Sequence, residues 1–315
     1  MHPARSVIFF TTASGAGYGL LVWLAVVAIR DMLPAEPAFG ATAFALAFAL
    51  IVSGLLSSTF HLGHPERAWR ALSQWRSSWL SREGVAAIVT FAPAGLFALG
   101  WVVFGETGGL WRISAVIAAL SAMITVYCTA MIYGSLRPVP AWRTMWTAPV
   151  YLMLSVLTGA LIANVLVHLW RYREAASALN AGVLVLLVVG LAVKLVYWRA
   201  IDGAAPTSTA ETATGLGRFG IVRLIDAPHT ETNYLMQEMG FAIARRHARK
   251  LRLIAIGAGF VFPFAVTVLA AYGVAPTLFV VLAAASGAVG IVIERWLFFA
   301  EARHTVTLYY GQTAI

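Results

Sequence analysis

Charged residues are scarce in this chain. Asp, Glu, Lys and Arg make up only 11% of its 315 residues, whereas hydrophobic residues make up 60%. Soluble domains carry about 25% charged residues. The composition therefore excludes a water-soluble globular protein and is typical of a protein that crosses a membrane several times.

Cysteine is nearly absent as well. The chain has one, Cys128, and it lies inside an apolar run. A single thiol cannot form an internal disulfide, and iron–sulfur clusters are held by several thiolates. A disulfide framework, a thiolate metal site and an iron–sulfur cluster bound by this chain alone are all excluded.

Long apolar runs, by contrast, are abundant. Eight segments have the length and hydropathy of membrane-spanning helices; they cover residues 6–29, 39–62, 84–104, 112–135, 148–169, 178–199, 252–272 and 275–300. We therefore expect an all-α integral membrane protein, a bundle of eight transmembrane helices forming a single domain over residues 1–315. The first run is too long for the apolar core of a signal peptide. Its small residues, Ser14 to Gly19, predict the close approach of another helix.

The cations are divided unequally between the two ends of the expected bundle. Sixteen Lys and Arg residues fall at the termini and in the connections after the second, fourth and sixth spans, and only four fall in the other connections. The positive-inside rule then places both termini and the basic connections in the cytoplasm. Docking of a partner protein is an alternative reason for basic connections.

The longest connection, residues 200–251, is predicted to be a cytoplasmic loop that contains an amphipathic helix. It begins rich in Gly, Ala, Pro, Ser and Thr, and apolar residues then recur at helical spacing between Asn233 and Lys250. Such a helix is typical of a membrane surface with anionic lipid. A partner-docking surface is the other interpretation of this segment.

Candidate functional residues concentrate at the corner after the second span, His61-Leu-Gly-His-Pro-Glu-Arg67. Pro65 disfavours helix at His64, so the span is expected to end near His61. The chain then returns to Glu83, at the start of a third span that we expect to lie beside the second. A histidine and a carboxylate at one membrane interface suit proton-coupled quinone chemistry. Glu83 can equally serve only to stabilise the first turn of its helix.

Three further ionisable residues, Lys194, Glu294 and Arg295, lie within or at the end of later spans, where such residues are candidates for function. Lys194 is close enough to its helix end to reach the interface. Glu294 and Arg295 are expected to pair inside the bundle, and a stand-alone transporter built on the three residues is the alternative. Haem is not expected, because only His61 and His304 offer a pair of axial ligands.

Several motifs resemble the membrane anchor subunits of the dimethyl sulfoxide reductase family. They are His2-Pro-Ala4 with Ser6 to Phe10, the corner His61 to Arg67, Pro228 to Leu235, Glu294 to His304, and Leu308-Tyr-Tyr-Gly311. The resemblance implies a haem-free anchor that binds ubiquinone or menaquinone and passes electrons between the quinone pool and a four-cluster iron–sulfur subunit. The complex is completed by a molybdopterin catalytic subunit. Membrane lipid is the other expected partner, and nucleic acid is not expected.

The resemblance also implies roles for individual residues. In the family, a histidine ending the second span and a glutamate opening the third influence quinol binding; these match His61 and Glu83, with His64 and Arg67 as secondary candidates. We expect no catalytic residue and no metal ligand in this chain. The cations expected to dock the partner are Arg67, Arg70, Arg76, Arg143, Arg245 and Arg246.

Two branches of the family differ in direction and sidedness. Cytoplasmic basic connections favour the bacterial sulfite-oxidising branch, whose anchor reduces quinone. The alternative is a menaquinol-oxidising anchor of a reductase for dimethyl sulfoxide or a similar S- or N-oxide. In both cases the chain is expected to be a non-catalytic subunit of an oxidoreductase complex in the bacterial cytoplasmic membrane.

Overall fold

The computed structural model describes residues 4–59, 64–226 and 243–315, with the backbone alone described at 65 and 243–246. Eight helices in these ranges are long and apolar enough to cross a membrane, which confirms the predicted all-α bundle. The first six are α1 (Arg5–Ile29), α2 (Pro37–Thr59), α3 (Trp79–Leu99), α4 (Gly109–Gly134), α5 (Thr147–Leu169) and α6 (Arg173–Asp202). After a short helix α7 (Ala210–Thr214) come α8 (Ile243–Ile256, continued by Gly257–Val261 and Phe262–Ala271) and α9 (Pro276–Ala300).

Several helices extend beyond their apolar segments. α3 begins at Trp79 rather than near residue 84, because the Ser78 side chain caps it by accepting the N–H of Ser81. Glu83 therefore lies one turn inside the helix. α8 likewise begins at Ile243, before the apolar segment. Hydropathy detects the part of a helix that lies in hydrocarbon, and the polar turns that continue it escape detection.

α1 and α5 form the centre of the bundle. α1 packs against α2, α4, α5 and α9, and its contact with α5 is backbone to backbone. A Cβ atom at Gly19 would lie 1.9 Å from the carbonyl oxygen of Ser155, and one at Gly159 would lie 2.1 Å from the carbonyl carbon of Gly19. This crossing confirms the close approach predicted from the small residues of α1.

α3 packs along α4. Ring contacts join α2 to the end of α3 and to its helical continuation Gly100–Phe104, away from Glu83. The rings of Phe44 and Phe97 are 5.0 Å apart, and those of Phe39 and Trp101 are 5.8 Å apart. Closer to Glu83, the described parts of α2 and α3 border a cavity instead of packing together. The expectation that these consecutive helices are neighbours holds for only part of their length.

The ends of α2, α4, α6 and α9 and the starts of α1, α3, α5 and α8 lie at the same end of the bundle, which we call the basic face. A 3-10 helix, Pro65–Gln74, lies here where the sequence suggested only a loop. It is attached to α3 by the Ser81 hydroxyl, which donates to the carbonyl of Ala71 at 2.5 Å. Thr209 and Ala314 pair as an isolated β-bridge, so the chain after α9 lies beside the chain after α6.

Candidate functional site

A cavity of about 680 Å³ opens at the basic face between α1, α2, α3, α4 and the 3-10 helix. Its described walls are mostly apolar; they include Val7, Phe10, Leu55, Ala68, Ala71, Leu72, Leu80, Ile132, Tyr133, Trp142 and Phe299. The polar residues among them include Ser81, Glu83, His64 and Arg67. A volume of roughly 300–1,000 Å³ with apolar walls and a few polar groups is typical of a site for a small organic molecule.

Glu83 is the buried charged group of this cavity, with only 5% of its surface exposed. Its Oε1 accepts a hydrogen bond from the Thr129 hydroxyl at 3.4 Å. The same hydroxyl lies 3.1 Å from the carbonyl of Thr125, so one proton serves two acceptors. The carboxyl group is thus loosely held at the cavity wall, where it can exchange a proton with a bound molecule.

His64 and Arg67 line the same cavity at its solvent side. His64 Nδ1 lies 3.1 Å from Oε1 of Glu66, Arg67 Nε lies 3.7 Å from the same oxygen, and all three side chains are well exposed. The structure therefore brings three of the four residues predicted for quinone binding to one cavity. The fourth, His61, lies outside the described residues.

Three of the arginines predicted to dock a partner, Arg67, Arg70 and Arg76, lie in an exposed aromatic and basic segment. Arg70 lies over the ring of Trp69 and Arg76 over that of Trp75, each at 5.5 Å. Both tryptophans are at least half exposed. Arg143 is exposed as well, and the side chains of Arg245 and Arg246 lie outside the described residues. Docking at these residues stays a prediction.

Sequence reasoning missed an ion pair between Lys194 of α6 and Glu294 of α9. Both side chains are fully buried, so the expected reach of Lys194 to the interface is wrong: its ammonium group turns toward α9. Glu294 does pair inside the bundle, and Arg295 Nη2 lies 3.7 Å from its Oε2. The sequence did contain one sign of this pairing: Lys194 and Glu294 lie at the same depth in the bundle, each about two helical turns from the basic face.

Aromatic rings surround this buried cluster. The Arg295 guanidinium lies 3.7 Å from the ring centre of Tyr151, and the Lys194 ammonium lies 4.1 Å from that of Tyr197. Such cation–π contacts partly replace the lost hydration of a buried cation. Among the described residues, no group of three or more His, Cys, Asp and Glu side chains is arranged to hold a metal ion.

Comparison with known proteins places the chain in a family. The family model described as DMSO reductase anchor subunit (DmsC) matches residues 1–311. The C subunit of sulfite dehydrogenase from Allochromatium vinosum is 34% identical over 335 aligned positions, covering the whole of both proteins.

Two components of dimethyl sulfoxide reductases match over shorter ranges. The C component of the anaerobic dimethyl sulfoxide reductase of Escherichia coli is 26% identical over 58% of this chain and 64% of its own length. The component of the same name from Haemophilus influenzae is 25% identical over 53% of this chain and 60% of its own length. No solved structure matches the chain with significance. The family match over nearly the whole sequence confirms the resemblance of the sequence motifs, and the chain belongs to the family of DMSO reductase membrane anchor subunits.

Proposed function

We propose that this multi-pass membrane protein is the quinone-reactive anchor of a molybdopterin and iron–sulfur oxidoreductase, and that the cavity at Glu83 is its quinone site. The buried Glu83 carboxyl group in the wall of a 680 Å³ apolar cavity is the observation that carries the proposal. A quinone ring needs apolar walls along its faces and polar groups at its two oxygens, and this cavity supplies both. When bound, a quinone takes up two electrons and two protons and becomes a quinol.

The residues of the cavity have distinct roles in this proposal. Glu83 gives a proton to one quinone oxygen, or receives one when the reaction runs in reverse. Tyr133, Trp142 and Phe299 pack against the ring and exclude water. By resemblance, His61 is proposed as the partner of the other oxygen, and His64 and Arg67 border the entrance.

Electrons are proposed to come from an iron–sulfur cluster of a partner docked on the basic face. Arg67 lines the cavity and belongs to the exposed basic segment that also carries Arg70 and Arg76. A partner bound to that segment therefore lies next to the quinone site. This proximity supports an iron–sulfur subunit as the docking partner. By resemblance, that subunit is proposed to hold four clusters and to carry the molybdopterin subunit behind it.

Sulfite oxidation at the catalytic partner is the proposed reaction of the complex. Its support is the full-length similarity to a sulfite dehydrogenase subunit, against partial coverage for the dimethyl sulfoxide reductase components. The excess of cations at the basic face supports a cytoplasmic position for that face and for both termini in a bacterial inner membrane. In the menaquinol-oxidising alternative, the same cavity works in the opposite direction.

The test uses the purified complex and the substitution Glu83→Gln. We expect sulfite-dependent reduction of a soluble quinone to fall by roughly 100-fold, the scale of general acid–base catalysis, while sulfite-dependent reduction of ferricyanide by the soluble subunits is retained. Glu174→Gln, at an exposed position on the opposite face, is the matched control and should leave both rates unchanged. Undiminished quinone reduction by Glu83→Gln would refute the role of this residue.

Quinone binding is tested independently of turnover with an azido-quinone. Illumination should label the 3-10 helix around Ala71 and Leu72, and excess unlabelled quinone should abolish that labelling. Labelling confined to other surfaces would contradict the assignment of the cavity. A complex that oxidises menaquinol, but neither oxidises sulfite nor reduces quinone, would select the alternative direction.

A further inference from the structure

The Lys194–Glu294–Arg295 cluster carries two positive charges and one negative charge in the interior of a membrane bundle. Its guanidinium group is incompletely satisfied: Nε and Nη1 of Arg295 are buried and have no hydrogen-bond partner in the part of the chain that the structure describes. Buried polar groups are rarely left in this state unless ordered water completes their hydrogen bonds.

Arg295 lines a small cavity between α1, α4, α5 and α9. The walls are rich in hydroxyl groups, contributed by Thr11, Thr12, Ser14, Thr129, Tyr151, Ser155 and Thr158. About 20 Å³ is available to the centre of a water molecule, which is enough for roughly one water. Ser14 and Ser155 each donate to a backbone carbonyl at 2.6 Å, so their oxygens remain able to accept a hydrogen bond from that water.

Thr129 connects this small cavity to the candidate quinone site. Its side chain is part of the wall that contains Arg295, and its hydroxyl donates to the Glu83 carboxylate. A threonine hydroxyl can donate and accept at the same time. A proton on a water in the small cavity therefore has to pass only one side chain to reach Glu83.

The other end of the cluster approaches the basic face through Trp198. The Lys194 ammonium lies 4.8 Å from one ring of this residue, and the Arg252 guanidinium lies 5.2 Å from it. Arg252 in turn bonds Asp202 at 2.5 Å and Glu301 at 2.9 Å. These three residues line an open cleft of about 460 Å³ at the basic face.

Resting on the function proposed above, we propose that Lys194 and Glu294 form a proton relay between the cleft at Asp202, Arg252 and Glu301 and the carboxyl group of Glu83. Arg295 keeps its own proton and orients the water of the small cavity. When Glu83 gives a proton to a quinone oxygen, Thr129 passes its hydroxyl proton to Glu83 and takes one from the water. Lys194 then passes its proton to the Glu294 carboxylate, and Glu294 gives that proton to the hydroxide left in the small cavity. Lys194 regains its proton from the cleft, so the cluster ends each cycle unchanged.

The competing interpretation is that the ion pair only holds α6 against α9. The two roles separate in the double variant Lys194→Met with Glu294→Gln. Removing Glu294 alone leaves two buried cations without a counterion, and removing Lys194 alone leaves Glu294 only its longer contact to Arg295, so both single variants are expected to be less stable. The double variant keeps the wild-type net charge of +1, and the glutamine amide oxygen can still accept a hydrogen bond from Arg295. A purely structural pair therefore predicts that the double variant regains both stability and quinone turnover. A relay predicts that it regains stability and stays roughly 10-fold or more slower, with its KM for quinone and its ferricyanide rate unchanged.

Thr129→Val tests the connection between the small cavity and the quinone site, because valine has nearly the same shape as threonine and no hydroxyl group. It should assemble normally and slow quinone turnover. Thr267→Val, at a fully buried threonine of α8, is the matched control and should leave turnover unchanged. A Thr129→Val complex as fast as the wild type would overturn the route through this residue.

A readout besides turnover is the time-resolved infrared difference spectrum recorded while the quinone-loaded complex is being reduced. The relay predicts two transient carboxyl signals, one abolished by Glu83→Gln and the other, from the brief protonation of Glu294, abolished by Glu294→Gln. A spectrum unaltered by Glu294→Gln would overturn the relay while leaving the quinone site standing. Absence of azido-quinone labelling at the 3-10 helix of the wild-type complex would instead refute the quinone site itself.

Discussion

The crossing of α1 and α5 makes a quantitative prediction about stability. Substitution Gly159→Ala places a methyl group 2.1 Å from the carbonyl carbon of Gly19 and 2.4 Å from its oxygen. Real Cβ atoms essentially never approach another atom closer than 3.0 Å, so the two backbones have to separate by roughly 1 Å. Backbone atoms cannot rotate aside as a side chain can, and the cost is expected at or above the upper end of the 1–3 kcal/mol typical of overpacking.

Gly95→Ala in α3 is the matched control, because a Cβ atom at Gly95 meets nothing within 4 Å. The same chemical change should here raise stability by up to about 1 kcal/mol, since alanine favours helix over glycine. Two identical substitutions are thus expected to act in opposite directions for a reason that is purely geometric.

The protein supplies its own reporter for the measurement. Its one cysteine, Cys128, is buried in α4, so a dye that fluoresces on reaction with thiols reports thermal unfolding of the purified protein in detergent. Gly159→Ala should unfold several degrees below the wild type, and Gly95→Ala at or above it. If Gly159→Ala unfolds at the wild-type temperature, the backbones of α1 and α5 do not meet as described.

Two further predictions concern the ends of the bundle. Burial lowers the pKa of His304, whose Nδ1 accepts the N–H of Val306 at 3.0 Å. The unfolded chain therefore binds a proton more readily than the folded chain, and acidification through the ordinary histidine range near pH 6.5 should lower the unfolding temperature. His304→Asn, which keeps an acceptor, should make the unfolding temperature depend less on pH. At the opposite face, Arg112 and Asp31 form an exposed pair at 2.5 Å, so Asp31→Ala should change the free energy of unfolding by less than about 1 kcal/mol; a larger loss would show that the pair is shielded from solvent.

The number and order of the membrane helices could be predicted from the sequence because each apolar run reports its own burial in hydrocarbon. The polar starts of α3 and α8 could not, since the Ser78 cap and the turns from Ile243 to Arg246 lie outside the apolar signal. The sequence also did not show which helices pack against one another. Every span is apolar around its circumference, so the sequence does not show that α3 packs along α4 and leaves a cavity beside α2.

The candidate site was predictable in part, because a charged residue stands out in an apolar segment. Glu83 is conspicuous as a carboxylate at the edge of an apolar run, and the resemblance to the anchor family points to it as well. Its hydrogen bond to Thr129 depends on how α3 is rotated against α4, and threonines are too common in membrane helices to identify the partner. Lys194 and Glu294 were each visible as charges in apolar segments, but their pairing depends on the contact between α6 and α9.

The depth of the ionisable groups constrains how the proposed relay can work. Glu83, Lys194 and Glu294 all lie within about two helical turns of the basic face, and the cleft at Arg252 opens on that same face. Buried polar groups near the opposite face form a separate hydrogen-bonded set: Asn164 donates to Asn180 at 2.9 Å, and His168 Nδ1 lies 2.8 Å from the carbonyl of Asn164. A relay confined to one face takes its protons from the compartment in which the iron–sulfur partner is proposed to dock. Electrons and protons would then reach the quinone from the same side, so turnover would move no net charge across the membrane.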